Sequence, residues 1–258
     1  MLTAVDVLRL LDEIGQSPLV VGAYDLSRCV ITSVERPADA VAGQISWLRG
    51  GNVLDVWTGT VLIVERGRAE VVGQRPLPWI VIAVDDPRFA MLRILQLWFA
   101  DKVGPVVVHP SARVHPSAVI GASDAGYVWT GSRYELFPHV GGVEIGADVA
   151  IDPLVVVSRA AIGRTIIGSG TKIGPQVTVG HGAHIGRDCL LVAQVCLGGS
   201  TVLGDRVTCW QRCVTASNVK IGSDAVIGAG SVVLCDVPPG ETWVGVPARR
   251  IRGALRGI

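Results

Sequence analysis

Histidine and cysteine are the residues best able to do chemistry near neutral pH, and this 258-residue chain has five and six of them. Two histidines, His181 and His184, stand three apart in "TVGHGAHIG". An imidazole, with an ordinary pKa of about 6.5, can take a proton at neutral pH and give it back. Held rigidly, it serves as a general base. His184 precedes an apolar position, which favours a structural or substrate-adjacent role. His109 and His115 recur as turn residues in "VHPSARVHPSAV" and carry little functional weight. The six cysteines (Cys29, Cys189, Cys196, Cys209, Cys213 and Cys235) include no CxxC pair. A disulfide framework is not expected in a chain of this size.

What holds His181 is a period of six. Apolar residues return at Ile167, Ile173, Val179, Ile185, Leu191, Leu197, Leu203, Cys209, Thr215, Ile221, Ile227 and Val233. Only Cys209 and Thr215 depart from Ile, Val or Leu. A helix repeats at 3.6 and a strand at 2, so neither explains six; a fixed longer period signals a solenoid. Each hexad supplies a short strand and a turn, and three hexads make one triangular circuit of 18 residues. The apolar residue points inward, and a small or β-branched residue four places on fits beside it. Glycine often follows the apolar residue, which is read as easing the turn's backbone. Stacked circuits bury a continuous core. Cys189 and Cys213 fall at the small position and Cys209 at the apolar one, as small buried hydrophobes.

The register breaks twice. Residues 121–143, "GASDAGYVWTGSRYELFPHVGGV", hold Tyr127, Trp129, Tyr134, Phe137 and His139. A long interruption rich in aromatics points to function rather than disorder. Between Val157 and Ile167, ten residues replace six. The first hundred residues read differently. Val5, Leu8 and Leu11 have helical spacing, and "GTVLIVE" and "PWIVIAV" read as buried strands. Asp86 and Pro87 open a second helix as N-cap and first helical residue. The boundary falls near Gly104, giving a small α/β domain over 1–104 and the coil with a short tail over 105–258.

The formal charge of +1 gives no general case for nucleic acid or an acidic membrane surface. No apolar run reaches the length of a transmembrane helix. The acidic residues within "MLTAVDVLRLLDEIG" argue against a signal peptide, and a cytoplasmic location is expected.

The α/β domain, the "VHPSARVHPSAVIG" opening and the hexad coil together resemble the UDP-3-O-acylglucosamine N-acyltransferases of lipid A synthesis. Related nucleotide-amino-sugar N-acyltransferases share the pattern. The resemblance implies a left-handed parallel β-helix, although parallel crossovers are ordinarily right-handed. It implies transfer of an acyl group from acyl-CoA or acyl carrier protein to the amine of a nucleotide-linked amino sugar, with no permanently bound cofactor or metal. It also implies a homotrimer, whose closed symmetry buries the coil's flat faces.

By the same resemblance "TVGHGAHIG" makes His181 the general base. The bare N–H of Gly199, one 18-residue circuit on in "LGGST", is the oxyanion donor. In "ISWLRGGN" Trp47 takes the position that stacks on the uracil ring, with Trp57 as an alternative. His139 falls near the sugar position. Tyr127 and Trp129 would wall the acceptor or the acyl chain. The ending "PPGETWVGVPARRIRGALRGI" resembles coenzyme A-dependent acetyltransferase tails, so Arg249 and Arg250, with Arg252 and Arg256, would meet donor phosphates.

Two positions depart from the lipid A pattern. Asn218, in "TASNVKIG", stands where the family has a second histidine, and Ser158-Arg159-Ala160 replaces its Asp-Arg-Gly. Both remain candidate substrate contacts, and with the short tail they favour a short acyl group transferred for surface polysaccharide. A non-catalytic sugar-nucleotide-binding scaffold is the alternative. A zinc site would need three converging histidines, and His181 and His184 diverge.

Overall fold

The structure is a computed structural model that describes residues 2–21, 26, 29–36, 40–48, 59–68 and 80–251. It divides into two units: Met1–Val103 with Ala125–Val140, and Gly104–Asp124 with Gly141–Ile258. The aromatic interruption is thereby grouped with the first unit.

The first unit is built on a five-stranded sheet in the order Leu19–Val21, Ile80–Val84, Val61–Glu65, Gln44–Leu48, Ser33–Val34. All its neighbours are parallel except the first pair. Ile80–Val84 and Val61–Val64 are buried throughout, as strands covered on both faces must be. Helix α1, Ala4–Glu13, opens with a capping box. Thr3 Oγ1 accepts the Asp6 N–H, and the Asp6 carboxylate accepts the Thr3 N–H at 2.8 Å. Its buried stripe is Ala4, Val7 and Leu11, so the helix is where its spacing puts it but turned from the Val5, Leu8, Leu11 stripe. Helix α2, Pro87–Trp98, starts on Asp86, whose carboxylate accepts from Arg88 and Phe89.

Tyr127–Trp129 and Tyr134–Leu136 pair as an antiparallel hairpin. Its inner face is Val128 and Glu135. Glu135 accepts from Arg93 at 2.6 Å and from Gln96 at 3.2 Å. The Arg93 bond first, and Gln96 next, lower the Glu135 pKa to about 2. Tyr127, Trp129, Tyr134 and Leu136 are exposed on the outer face.

The second unit is the solenoid: three sheets whose neighbours are successive circuits, parallel throughout except for the closing antiparallel pair Thr242–Gly245 and Ala248–Ile251. In the regular part Thr178 pairs with Cys196, His184 with Val202 and Leu190 with Thr208, each 18 residues on. Ile173, Val179, Ile185, Leu191, Leu197, Leu203 and Cys209 are at most 2% exposed, and the residues four after them are buried beside them. Cys189, Cys209 and Cys213 are buried thiols in this core.

The glycine reading needs correction. The left-handed turn residue is three places after the apolar one. It is usually not glycine: Gln176, Asp188, Gln194, Ser200, Arg206, Arg212, Asn218 and Asp224 all have φ between 53 and 64°. The glycine directly after the apolar residue answers instead to close stacking. A Cβ on Gly186 would lie 2.5 Å from the Gly204 carbonyl carbon of the next circuit.

Candidate functional site

The site is a corner of the coil, built by consecutive circuits. His181 follows the strand Thr178–Val179 and is half-buried. Its backbone is held on both sides. The His181 N–H donates to Asp124 Oδ2 at 3.0 Å, and the His181 carbonyl accepts the Ser200 N–H at 2.7 Å. The next N–H, of Gly182, donates to Thr165 Oγ1 at 2.9 Å; that buried hydroxyl donates in turn to the Ser158 carbonyl at 2.7 Å.

The imidazole lies over Gly199. A Cβ built on Gly199 would stand 2.5 Å from His181 Nε2 and 2.9 Å from both Cδ2 and Cε1. Only a residue without a side chain lets the ring sit there. Gly180 is constrained likewise, because its Cβ would press on the Gly199 nitrogen at 2.7 Å. Gly199 is buried, and its N–H donates to no group among the described residues. A proton acceptor and an unspent amide donor thus share one corner.

Asp124 is the functional candidate that sequence reasoning missed. The acid was sought at residue 158, but Ser158 is a buried residue whose carbonyl braces Thr165. The carboxylate comes instead from the last coil residue before the hairpin insertion, 57 positions from His181. An acid standing where the hexad register is interrupted was the available signal. Asp124 also bears on Cys196, which is exposed on the neighbouring strand. Partial burial first, and the Asp124 charge next, push that thiol above its ordinary pKa. A thiol raised in this way is a poor nucleophile at neutral pH.

Arg159, from the second register break, gathers three carbonyls. Its Nε donates to Gly121 at 2.7 Å, and its Nη1 to Gly104 and Gly141 at 3.2 Å each. These are the places where the chain enters, leaves and re-enters the coil.

Asn218 lies two circuits beyond Gly182 at the same turn position. It is exposed, with φ 64°, and its N–H donates to the Gly199 carbonyl at 2.9 Å. Asparagine tolerates that backbone better than most residues. His184 Nε2 is 3.2 Å from the Arg164 carbonyl, a structural use of the ring. His109 and His115 each accept a serine N–H in a turn of the first circuit. Among the described residues, no three His, Cys, Asp or Glu side chains gather as metal ligands would.

The other expected contacts lie in the first unit or at the coil's far end. Trp47 is half-buried, its ring 6.1 Å from Phe137 at 33°. His139 is 6% exposed, with Nδ1 2.9 Å from the Phe137 carbonyl. Trp129 meets Tyr134 edge-on at 5.2 Å, and both remain exposed, as does Tyr127. Arg249 and Arg250 lie on the last strand, Ala248–Ile251, with Arg250 paired to Glu241 at 3.2 Å. Trp57, Arg252 and Arg256 lie outside the described residues.

Comparison with known proteins bears out the resemblance read from the motifs. Residues 164–199 match the bacterial transferase hexapeptide family (six repeats). A UDP-3-O-acylglucosamine N-acyltransferase of Methylobacterium sp. (strain 4-46) is 39% identical over 143 residues, covering 55% of this chain and 41% of that protein. The enzyme of the same name from Caulobacter sp. (strain K31) is 36% identical over 154 residues, covering 60% and 45%. The match thus spans less than half the length of these curated relatives. The crystal structure of UDP-N-acetylglucosamine O-acyltransferase from Moraxella catarrhalis RH4 superimposes with a TM-score of 0.50 at 16% identity, over 87% of this chain and 72% of that one. The solenoid is a left-handed parallel β-helix.

Proposed function

We propose that the protein is an N-acyltransferase, moving an acyl group from a thioester to the amine of a nucleotide-linked amino sugar. The observation that carries this is the imidazole of His181 lying over the bare Gly199, with the Gly199 amide unspent. In the proposed step the sugar amine attacks the thioester carbonyl, forming the C–N bond. His181 takes the amine proton while the Gly199 N–H meets the developing oxyanion. The tetrahedral intermediate then expels the thiolate, which recovers the proton from the imidazolium. Asp124 fixes the His181 backbone by accepting its N–H.

The relatives' name and the motif resemblance support the amino-sugar acceptor. Trp47 is assigned to the nucleobase, and His139, Tyr127, Trp129 and Asn218 to the sugar or acyl group; Ser158, buried with its carbonyl on Thr165, is given a bracing role instead. Arg249 and Arg250 are assigned to the phosphates of acyl-CoA or to an acidic acyl carrier protein. With these go a homotrimer and a cytoplasmic location; among the described residues no helix is long and apolar enough to cross a membrane.

The test offers UDP- and dTDP-amino sugars with acetyl-CoA or acyl carrier protein donors and follows products by mass spectrometry. An N-acylated sugar that disappears in His181→Ala is expected. A sugar nucleotide that binds while every donor fails would overturn the proposal in favour of a binding scaffold.

A further inference from the structure

Thr215 breaks the hexad rule, standing where Ile, Val or Leu points into the prism. It is 3% exposed, so its hydroxyl is carried into an apolar core. Burying a hydroxyl is unfavourable unless it is hydrogen-bonded, and here the bonds form a directed chain. Thr215 Oγ1 accepts the Gly198 N–H at 3.0 Å and lies 3.0 Å from Oγ1 of the fully buried Thr201. Thr201 Oγ1 lies 3.3 Å from the Ala216 carbonyl. One assignment gives every proton an acceptor: Gly198 N–H to Thr215, Thr215 O–H to Thr201, Thr201 O–H to Ala216. The Thr201 N–H also donates to the Gly198 carbonyl at 3.3 Å. The residue before Gly199 is therefore held at its N–H by a core side chain and at its carbonyl by the turn, while the Gly199 N–H is left unspent.

We infer that Thr215, with Thr201 behind it, is a positioning residue that fixes Gly198 at its N–H and so sets the direction of the peptide that follows, whose Gly199 N–H meets the reacting oxygen. This rests on the acyl-transfer reading and deepens it. The other buried threonines do not compete for the role. Thr165 and Thr171 occupy the small position of their hexads, and their hydroxyls bond Gly182 and Cys189. Thr215 alone among the described side chains bonds the residue beside Gly199. Valine, the residue type the repeat prefers there, would fill the same space but remove the hydroxyl that accepts the Gly198 N–H, returning that N–H to the carbonyl ladder used by the equivalent residues Gly180, Gly186 and Ala216.

The test compares wild type with Thr215→Val and Thr215→Ser. It reads kcat, both KM values and the pH profile, alongside amide hydrogen exchange at Gly198. Thr215→Val should lower kcat by about ten- to a hundred-fold, as misaiming a pre-placed donor does. The KM values and pH profile should stay put, because the base is untouched, and the serine variant should recover most of the loss. Thr201→Val, which removes the middle of the relay, should act in the same direction if Thr215→Val fails to fold. Wild-type kcat in Thr215→Val, or in Thr201→Val where that is the variant that folds, would overturn the inference. If the wild type transfers no acyl group, the acyl-transfer reading is what has failed, and exchange then decides the positioning. Faster Gly198 exchange in the valine variant but not the serine one upholds the hold of Thr215 on Gly198; equal rates refute it.

Discussion

Gly199→Ala tests the corner most directly, because the cost can be read from the coordinates. The added Cβ would lie 2.5 Å from His181 Nε2, where ordinary van der Waals contact begins at 3.4 Å. One of the two groups must therefore move by about 0.9 Å. The coil cannot yield easily, since the Gly199 carbonyl is bonded to Asn218 and the His181 backbone to Asp124 and Ser200. The free end of the imidazole moves instead. A displacement of about 1 Å from the reacting geometry costs about a hundred-fold in rate, or ~2.7 kcal/mol on the barrier. Gly199 has no positive φ, so alanine suits its backbone, and stability should stay within about 1 kcal/mol of wild type. The assay pairs initial rates of amide formation with chemical denaturation of the same samples. A variant that folds normally and keeps its rate within about three-fold would show that the imidazole's resting place over Gly199 has no part in the reaction.

Two further expectations concern the carboxylates. Asp124 accepts the His181 N–H, so Asp124→Ala, which leaves that N–H without its acceptor, should lower kcat by about ten-fold or more by misplacing the imidazole, while Asp124→Asn, which keeps an oxygen there, should recover most of the loss; equal rates in wild type and the alanine variant would remove Asp124 from the mechanism. Glu135 titrates lower in the folded hairpin than its ordinary 4.5, so its anchoring is in full force above pH 4.5 and is lost as pH falls toward 2. The fluorescence of Trp129 should follow that loss in wild type and be insensitive to pH across the window in Glu135→Gln; identical titrations would refute the anchoring.

The coil was legible because one rule is repeated through it: an inward apolar residue every six places leaves few foldable alternatives. The rule also placed His181 and Gly199 in successive circuits, since 18 residues is one turn of the prism. Asp124 was not legible for the opposite reason. It belongs to the segment where the rule lapses, and its approach to His181 depends on how the chain turns out of the coil. The glycine misreading has a similar source, because contact between circuits is a packing property that no single hexad displays. Thr215 was visible as an exception, but its partners Gly198 and Thr201 are set by the core's geometry. Two inner strands of the first unit, Val61–Glu65 and Ile80–Val84, appeared as apolar runs, while its short outer strands did not and the hairpin showed only as a surplus of aromatic residues.

The guanidinium of Arg159 makes the coil tolerant of what is attached to it. It binds the carbonyls of Gly104, Gly121 and Gly141 at one point, and those residues mark the chain's passages into and out of the solenoid. The sixteen residues Ala125–Val140 therefore depart from, and return to, a fixed socket. Doubling a loop between fixed ends adds only about 0.6 kcal/mol of closure entropy. A segment of different length or chemistry could be seated there without shifting the hexad register behind it. The solenoid would keep its corner, and with it His181 and Gly199, while the inserted segment was exchanged.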